Sequence, residues 1–302
     1  MPRENWDNIL LNLNINHSMN PTMDSRKDKR YLHIAGAFGV GGRLTKIGDV
    51  PIDLPIETVA PAHLPMVGGR CESIGKLVID GRHIPSGAIS ANILEDLKRR
   101  ELLSVGSARS LAESDLAGPQ GPFVSRTISE VSNVAVADGF SLDRCELRMT
   151  SSQASSAPFP SITLEKAAIV GLKLGGFPLD VYLDTNAFNS LPTQAEFISH
   201  CNKNGALREA PFSTFLKDDA TGRLHQNQSA YLVGSMVKKI EGRLPQGASI
   251  EDNGYIIDWP IFGKIILGEI LIGPYVRRVT LVRLKHSDTE VGSGCSGGST
   301  WP

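Results

Sequence analysis

Between Ile261 and His286 the chain reads IFGKIILGEILIGPYVRRVTLVRLKH. The first half is almost wholly apolar. The second carries Arg277, Arg278, Arg283 and Lys285. Gly273-Pro274 in the middle suits a two-residue hairpin loop, with glycine supplying a positive φ and proline the next position. That turn sets Ile272 opposite Tyr275 and Leu271 opposite Val276. One face then pairs Glu269 with Arg278, Leu267 with Thr280 and Ile265 with Val282. It is a core face with a single ion pair near the turn. The other face gathers Lys264, Arg277, Arg283 and Lys285. Sliding the register by one residue would exchange the two faces, so the chemistry itself selects this alignment. An apolar strand covered on both faces is a central strand. Its basic neighbour offers either a solvated face or a site for an anionic or amphipathic ligand. Lys264 opposite Arg283 is a like-charge pair, which costs stability unless a carboxylate such as Asp258 or Glu290, or a bound anion, offsets it.

Working outward, strand signals dominate. YLHIAGAFGVGGRLTKI, residues 31–47, is small and apolar with glycine punctuation. IGDVPIDLP (47–55) and LGGFPLDV (174–181) share the order apolar, Gly, any residue, apolar, Pro, apolar, Asp, apolar, and each reads as a hairpin. The arms are Arg43–Ile47 with Val50–Leu54, and Ile169–Leu174 with Phe177–Leu183. Ser73–Asp80, Thr127–Ala137, Asp143–Ser151, Tyr231–Glu241 and Tyr255–Asp258 are further strands. Two helices are expected, at Ser90–Leu103 with Ser90 as cap and at Pro192–Lys203 with proline in the first turn. Stretches 104–122 and 151–160 read as loops, the second marking a possible subdivision. Residues 1–30 read as a polar arm and 287–302 as a Gly/Ser-rich flexible tail, leaving 31–286 as a single β-rich domain.

The 302 residues are 41% hydrophobic and 21% charged, a globular composition with room for a substantial core. A net charge of −1 excludes a general nucleic-acid coat, which needs a clear cationic excess. No stretch reaches the length of a membrane span. MPRENWDNILLNLNINHSMNP lacks the basic and apolar regions of a signal peptide. A complete chain is therefore expected in the cytoplasm, and a processed mature form outside the cell. The four cysteines, Cys71, Cys145, Cys201 and Cys295, fit no zinc spacing. Four free thiols are the plain reading. A Cys71–Cys145 bridge is the alternative, prompted by the repeated Arg70-Cys71-Glu72 and Arg144-Cys145-Glu146. No metal site and no cofactor is expected.

GAFGVGG, residues 36–42, lacks the G-x-x-x-x-G-K-[ST] pattern and reads as a strand kink or barrel corner. There is no H-E-x-x-H. His200 and Cys201 are neighbours on a helix and point apart, so they do not make a thiolate–imidazole pair. Asp180, Tyr182 and Asp184 share one strand face by the period of two. They are candidates for acid/base work, and Glu269 with Arg278 is the alternative.

GAFGVGG, ISEVSNVAVADGFSLDRCEL and GLKLGGFPLDV together resemble the β-rich secreted bacterial proteins grouped as "choice-of-anchor", the P type most nearly. The resemblance covers about half of the chain and implies a strand-rich fold with a Gly/Ser-rich tail. It carries over no catalytic residues. The sequence as a whole predicts a mainly β protein, an antiparallel sandwich or barrel-like fold with one or two peripheral helices. Three functions fit it. The first is a non-enzymatic binding, structural or assembly protein that associates with itself. The second is a cofactor-independent enzyme using the acid/base residues named. The third is a carrier whose small ligand meets Lys264, Arg277, Arg283 and Lys285. An enzyme requires a pocket holding a perturbed carboxylate. Assembly requires an exposed apolar patch or an unpaired strand edge.

Overall fold

The computed structural model describes residues 32–300, apart from 48–49, 86–88, 116–120, 138, 204–231, 253, 261–262, 274 and 287–288. The described residues belong to one compact unit, Tyr31–Trp301. The arm read at residues 1–30 lies outside them. The fold is mainly β, with two antiparallel sheets stacked on a shared core.

In chain order the strands are β1 (Leu32–Ile47), β2 (Val50–Val59), β3 (Ala62–His63), β4 (Arg70–Asp80), β5 (Glu101–Asp115), β6 (Phe123–Val136), β7 (Phe140–Gln153), β8 (Ser161–Val170), β9 (Leu172–Leu174) and β10 (Phe177–Leu183). They continue with β11 (Leu232–Ser235), β12 (Val237–Gly242), β13 (Ser249–Ile250), β14 (Ile256–Trp259), β15 (Gly263–Ile272), β16 (Val276–His286) and β17 (Thr289–Thr300). Short helices α1 (Ala91–Leu97), α2 (Thr185–Asn189) and α3 (Gln194–Lys203) lie between strands. The first sheet runs β13-β14-β15-β16-β17-β1-β2, with β11 also on β15 and β3 on β1. The second runs β12-β10-β9-β7-β6-β5-β4, with β8 also on β7.

The period-two alternation that marks these strands also builds the core. On β6 the burial pattern alternates almost without break from Phe123, and Val131 is 1% exposed. Leu103 and Leu147 from the second sheet share one apolar cluster with Ile265 and Val279 from the first. Each fully buried aliphatic side chain of this kind contributes about 1.5–3 kcal/mol. Toward the Phe123 end the interior turns polar. Ser110, Ser125, Thr127 and Ser151 are buried there with no hydrogen-bond partner for their hydroxyls.

The expected β15–β16 hairpin is present, in a different register. The Gly273 amide donates to the Val276 carbonyl (2.8 Å), so Gly273 faces Val276. Opposed residues follow suit: Leu271 with Arg278, Glu269 with Thr280, Leu267 with Val282, Ile266 with Arg283 and Lys264 with Lys285. A shift of two keeps each residue on its expected face, but one irregularity changes that midway. Leu281 is an extra residue against β17, where Thr280 pairs with Gly294 and Val282 with Ser293. At the matching point of β15, Gly268 sits at φ +59, and a Cβ there would press on Met236 and Val237 at 3.1 Å. The alternation inverts across this kink. Ile265 and Leu267 face inward before it, and Ile270 and Ile272 after it. On β16 the inward set changes from Leu284 and Val282 to Val279 and Arg277.

Five other expectations are corrected. The helix read over Ser90–Leu103 ends at Leu97. Leu102 and Leu103, 0% and 1% exposed, are core residues of β5, so their apolar stripe was that of a strand. Of the loop read at 104–122, residues 104–115 are instead most of β5, whose small residues hide its alternation. The Gly/Ser-rich tail is β17, paired to β16 on one side and β1 on the other. Residues 154–160 join β7 to β8, which pair with each other, so they do not divide two sheets. The single strand read at Tyr231–Glu241 is two. β11 lies in the first sheet and β12 in the second. Between them the Met236 amide donates to Gly268 (2.9 Å), and its carbonyl accepts from Asp184 (2.7 Å).

Candidate functional site

β4 reads RCESIGKLVID and alternates. Cys71, Ser73, Gly75 and Leu77 face the opposite sheet. Arg70, Glu72, Ile74, Lys76 and Val78 face outward and are exposed. Ile74 is 73% and Val78 53% exposed, high values for β-branched aliphatic residues in the middle of a strand. The turn leading into the strand adds Met66 at 66% and Val67 at 79%. Beyond Val78 the strand is anchored. Ile79 is buried, and Asp80 accepts from the Arg82 amide (2.9 Å) while its own amide donates to His83 Nδ1 (3.2 Å). The Arg82 guanidinium closes on the same carboxylate, which holds Asp80 far below the usual carboxylate range. β4 pairs with β5 along its length, and among the described residues no strand pairs with its other side.

The remaining sheet edges are protected. β2 carries Pro51 and Pro55, which have no N–H to offer a further strand. β13 is two residues long and β11 four. β12 shows Lys238 and Lys239 to solvent, and Lys239 is ion-paired to Glu241. The flank of β8 is capped from α2 and the turn after it. There the Asn189 amide group bonds both the amide (2.7 Å) and the carbonyl (2.8 Å) of Leu164, and the Ile162 amide donates to Pro192 (3.2 Å). Prolines, lysines, short strands and covering segments are the usual means of blunting an edge. On β4 there is one lysine and no proline.

Beside this edge the outer face of the second sheet carries a ribbon of ion pairs. Arg70 meets Glu72 at 2.9 Å and Arg109 meets Glu72 at 2.8 Å. Arg109 reaches Glu130 at 3.6 Å, and Arg148 bridges Glu130 (3.1 Å) and Glu146 (2.8 Å). Arg144 and Lys166 close on Glu146, both at 2.7 Å. Glu146 is 1% exposed, sealed under the stems of its three cations. Burial pushes its carboxyl up, and the bond from Lys166 with the charges of Arg144 and Arg148 more than offsets this, so it lies below the ordinary value. Glu72 is likewise held low by Arg70 and Arg109. Carboxylates kept ionised in this way are poor proton donors. The repeated Arg-Cys-Glu tripeptide is part of the same ribbon. In both copies Arg and Glu pair on the outer face while Cys points inward, and Cys71 and Cys145 are free thiols, not a bridge.

The residues expected at a site do not converge. Asp180 and Tyr182 do share an exposed face of β10, with Glu241 and Lys239 opposite them on β12. Tyr182 is bonded to Glu241, which raises its phenol above the usual value. Asp184 lies past the end of β10, with its amide bound to Met236. Glu269 pairs with Arg283 and not with Arg278, because the kink at Gly268 and Leu281 brings those two to one face. Arg278 stands opposite Leu271.

The four expected ligand-binding residues are also dispersed. Lys264 is held by Glu251 at 2.5 Å, and Lys285 is the exposed residue opposite it. Arg277 is turned into the core, 1% exposed. It donates to the Leu191 carbonyl and lies 4.5 Å over the Phe188 ring, pinning α2 and its following turn to β16. Burial lowers its guanidinium to about 10, with Glu196 acting in the opposite direction.

A void between the sheets is lined by Val40, Leu103, Val134, Phe140, Cys145 and Val282 among other apolar side chains. It holds no carboxylate. His200 and Cys201 lie on α3, and their side chains fall outside the described set. Among the described residues no group of three His, Cys, Asp or Glu is placed to hold a metal, and no helix is long and apolar enough to cross a membrane. The edge of β4 was missed in the sequence because a strand's position in its sheet is not written in its own residues.

No curated protein and no solved structure matches the chain. A family model does match, over residues 31–273, from the first strand to the turn between β15 and β16. The chain belongs to that family, described as Domain of unknown function (DUF8256).

Proposed function

We propose that this protein is a non-enzymatic assembly module, a β-sandwich that joins a protein partner along the free edge of β4. The observation that carries this reading is the contrast between edges. β2, β8, β12 and β13 are blunted by proline, a covering turn, lysine or brevity, while β4 is long, has no strand on its outer side among the described residues, and carries Ile74 and Val78 outward. A strand added to such an edge completes backbone hydrogen bonds, and the outward side chains supply specificity. The non-enzymatic part rests on two features. The carboxylates of the outer face are ion-paired, and the void between the sheets is apolar. A carrier acting through the basic hairpin has less support, because Arg277 is buried and Lys264 and Arg283 are paired within the chain.

The test is sedimentation and native mass spectrometry of the full chain purified from its own host, beside Ile74→Lys. The expected result is an associated species in the wild type that Ile74→Lys dissolves while the circular dichroism stays that of a β protein. Wild-type protein that runs as a bare monomer, or an assembly indifferent to Ile74→Lys, refutes the reading.

A further inference from the structure

We infer that the partner on β4 is a second copy of this chain, paired antiparallel about Ile74 so that Ile74 lies opposite Ile74 of the second copy. This rests on the edge reading above and deepens it. A two-fold axis demands a surface complementary to itself. For the outer faces of both sheets to continue across the join, opposed residue numbers must have an even sum, because side chains alternate with a period of two. Only a few registers then overlap over most of the strand, and the charges separate them.

With Ile74 on itself, Glu72 faces Lys76 of the second copy, Lys76 faces Glu72, and Arg70 faces Val78. Both isoleucines meet at the centre, and both flanking pairs are of opposite charge. Slipping by two residues in one sense sets Ile74 against Lys76 and Glu72 against Val78. Slipping in the other sense sets Arg70 against Lys76 and Glu72 against Ile74. A further slip either way opposes Lys76 to itself or Glu72 to itself. Opposed like charges destabilise a strand pair, and opposed unlike charges and paired β-branched residues stabilise it. The symmetric register about Ile74 opposes no like charges and is the one that sets Glu72 against Lys76 twice across the join.

The local structure fits this arrangement. Lys76 is exposed and has no ion partner among the described residues, so its charge is available. Glu72 already receives Arg70 and Arg109, which hold its carboxylate ionised and aimed along the outer face. Both copies have their β4 fixed at the far end by Asp80 with Arg82 and His83. The join merges two eight-stranded sheets into one continuous sheet and removes the open edge of each.

The test uses the full recombinant chain with no other protein present. Directly opposed residues have Cα atoms about 4.5–5.5 Å apart, within reach of a disulfide. Slipping by two residues carries the two copies of residue 74 to about 8 Å, out of reach. Under mild oxidation Ile74→Cys is therefore expected to give a disulfide-linked dimer, with the wild type, which has Cys71, as control. Lys76→Glu sets like charges opposite each other twice and is expected to weaken association about tenfold in sedimentation. Glu72→Lys with Lys76→Glu is expected to restore it. Since Lys76 is exposed and makes no ion pair among the described residues, its replacement is expected to leave the fold intact. A dimer in which the thiol introduced by Ile74→Cys stays reduced, or one indifferent to Lys76→Glu, overturns this register while the edge reading stands if Ile74→Lys still dissolves it. A recombinant chain that remains monomeric overturns self-association, and the host-purified assembly then decides the edge reading separately.

Discussion

Replacing Glu146 by glutamine removes one charge from the centre of the ion-pair ribbon and leaves the shape almost unchanged. The wild-type carboxylate takes Arg144, Arg148 and Lys166 within 2.8 Å and is 1% exposed. A hydrogen bond involving a charged group is worth about 1.5–3 kcal/mol against about 1 for a neutral one. Arg144 and Lys166 bond one oxygen while Arg148 meets the other only as an ion pair, and these losses sum to several kcal/mol if taken at full value. The three cations are 39–49% exposed, however, so water takes back part of each contact. A net loss of about 2 kcal/mol follows, or about 4–8 °C in Tm for a domain of this size. The pH dependence gives a second, independent signature. The folded carboxyl lies below its ordinary value, so the unfolded state binds the proton first as pH falls. The stabilisation is present above the unfolded value, about 4.3, and is lost as pH drops through the lower folded one. Urea unfolding of both proteins at neutral pH, at acid pH and in high salt measures it. The gap between them should close on acidification and narrow with salt. A neutral-pH difference under about 0.5 kcal/mol, the usual range for a surface substitution, refutes the reasoning. So does a gap that survives acidification undiminished.

Three further substitutions examine the interior. Ser110 is 0% exposed and its hydroxyl has no partner among the described residues, so Ser110→Ala should stabilise by about 1 kcal/mol, read as a raised calorimetric Tm. A Cβ at Gly39 would lie 2.5 Å from that of Ala108 across the sheets. Gly39→Ala should therefore destabilise by about 1–3 kcal/mol, and adding Ala108→Gly should recover part of it in a double-mutant cycle. Arg277→Leu leaves the Leu191 carbonyl without its buried donor and should cost about 1–3 kcal/mol, with limited proteolysis quickening first around α2 and α3.

Most strands were legible because burial on one face forces alternation, and alternation survives in the residues. β4, β6, β7 and β14 fall where their apolar positions predict. Legibility failed where that signal was diluted. β5 has serine and alanine at inward positions, so its pattern merges with that of a loop. β17 is mostly glycine and serine and has no alternation to read, yet it is central in its sheet because β1 and β16 pair with it on either side. The hairpin shows a third kind of limit. Its faces were read correctly up to Gly268, and a displaced register of two left them untouched. A positive φ at one glycine and one extra residue at Leu281 then inverted the faces, carrying Arg277 from the expected basic patch into the core. No period-two argument contains such an inversion, since the bulge is set by the neighbouring strand.

The residues expected at a site are dispersed for a related reason. Asp180, Tyr182, Glu269 and Lys264 were chosen as chemically capable residues on one strand face, and for three of them a neighbouring strand or turn supplies the partner. Glu241 takes Tyr182, Arg283 takes Glu269 and Glu251 takes Lys264. Charges that find partners within the sheet serve the sheet. The informative residues are those that the described fold leaves unanswered, Ile74, Lys76 and Val78 on β4. Ile74 and Val78 carry nothing that distinguishes them in the sequence from the inward residues of other strands. They become significant only because β4 stands last in its sheet while each other edge is closed by some identifiable device. An unguarded edge exposes backbone groups to any extended chain, and proteins close such edges unless they are used. Among the described residues, the closure of the other edges and the openness of this one is the feature of this fold that most calls for a functional explanation, and the pairing proposed through β4 would also account for the order of charges along it.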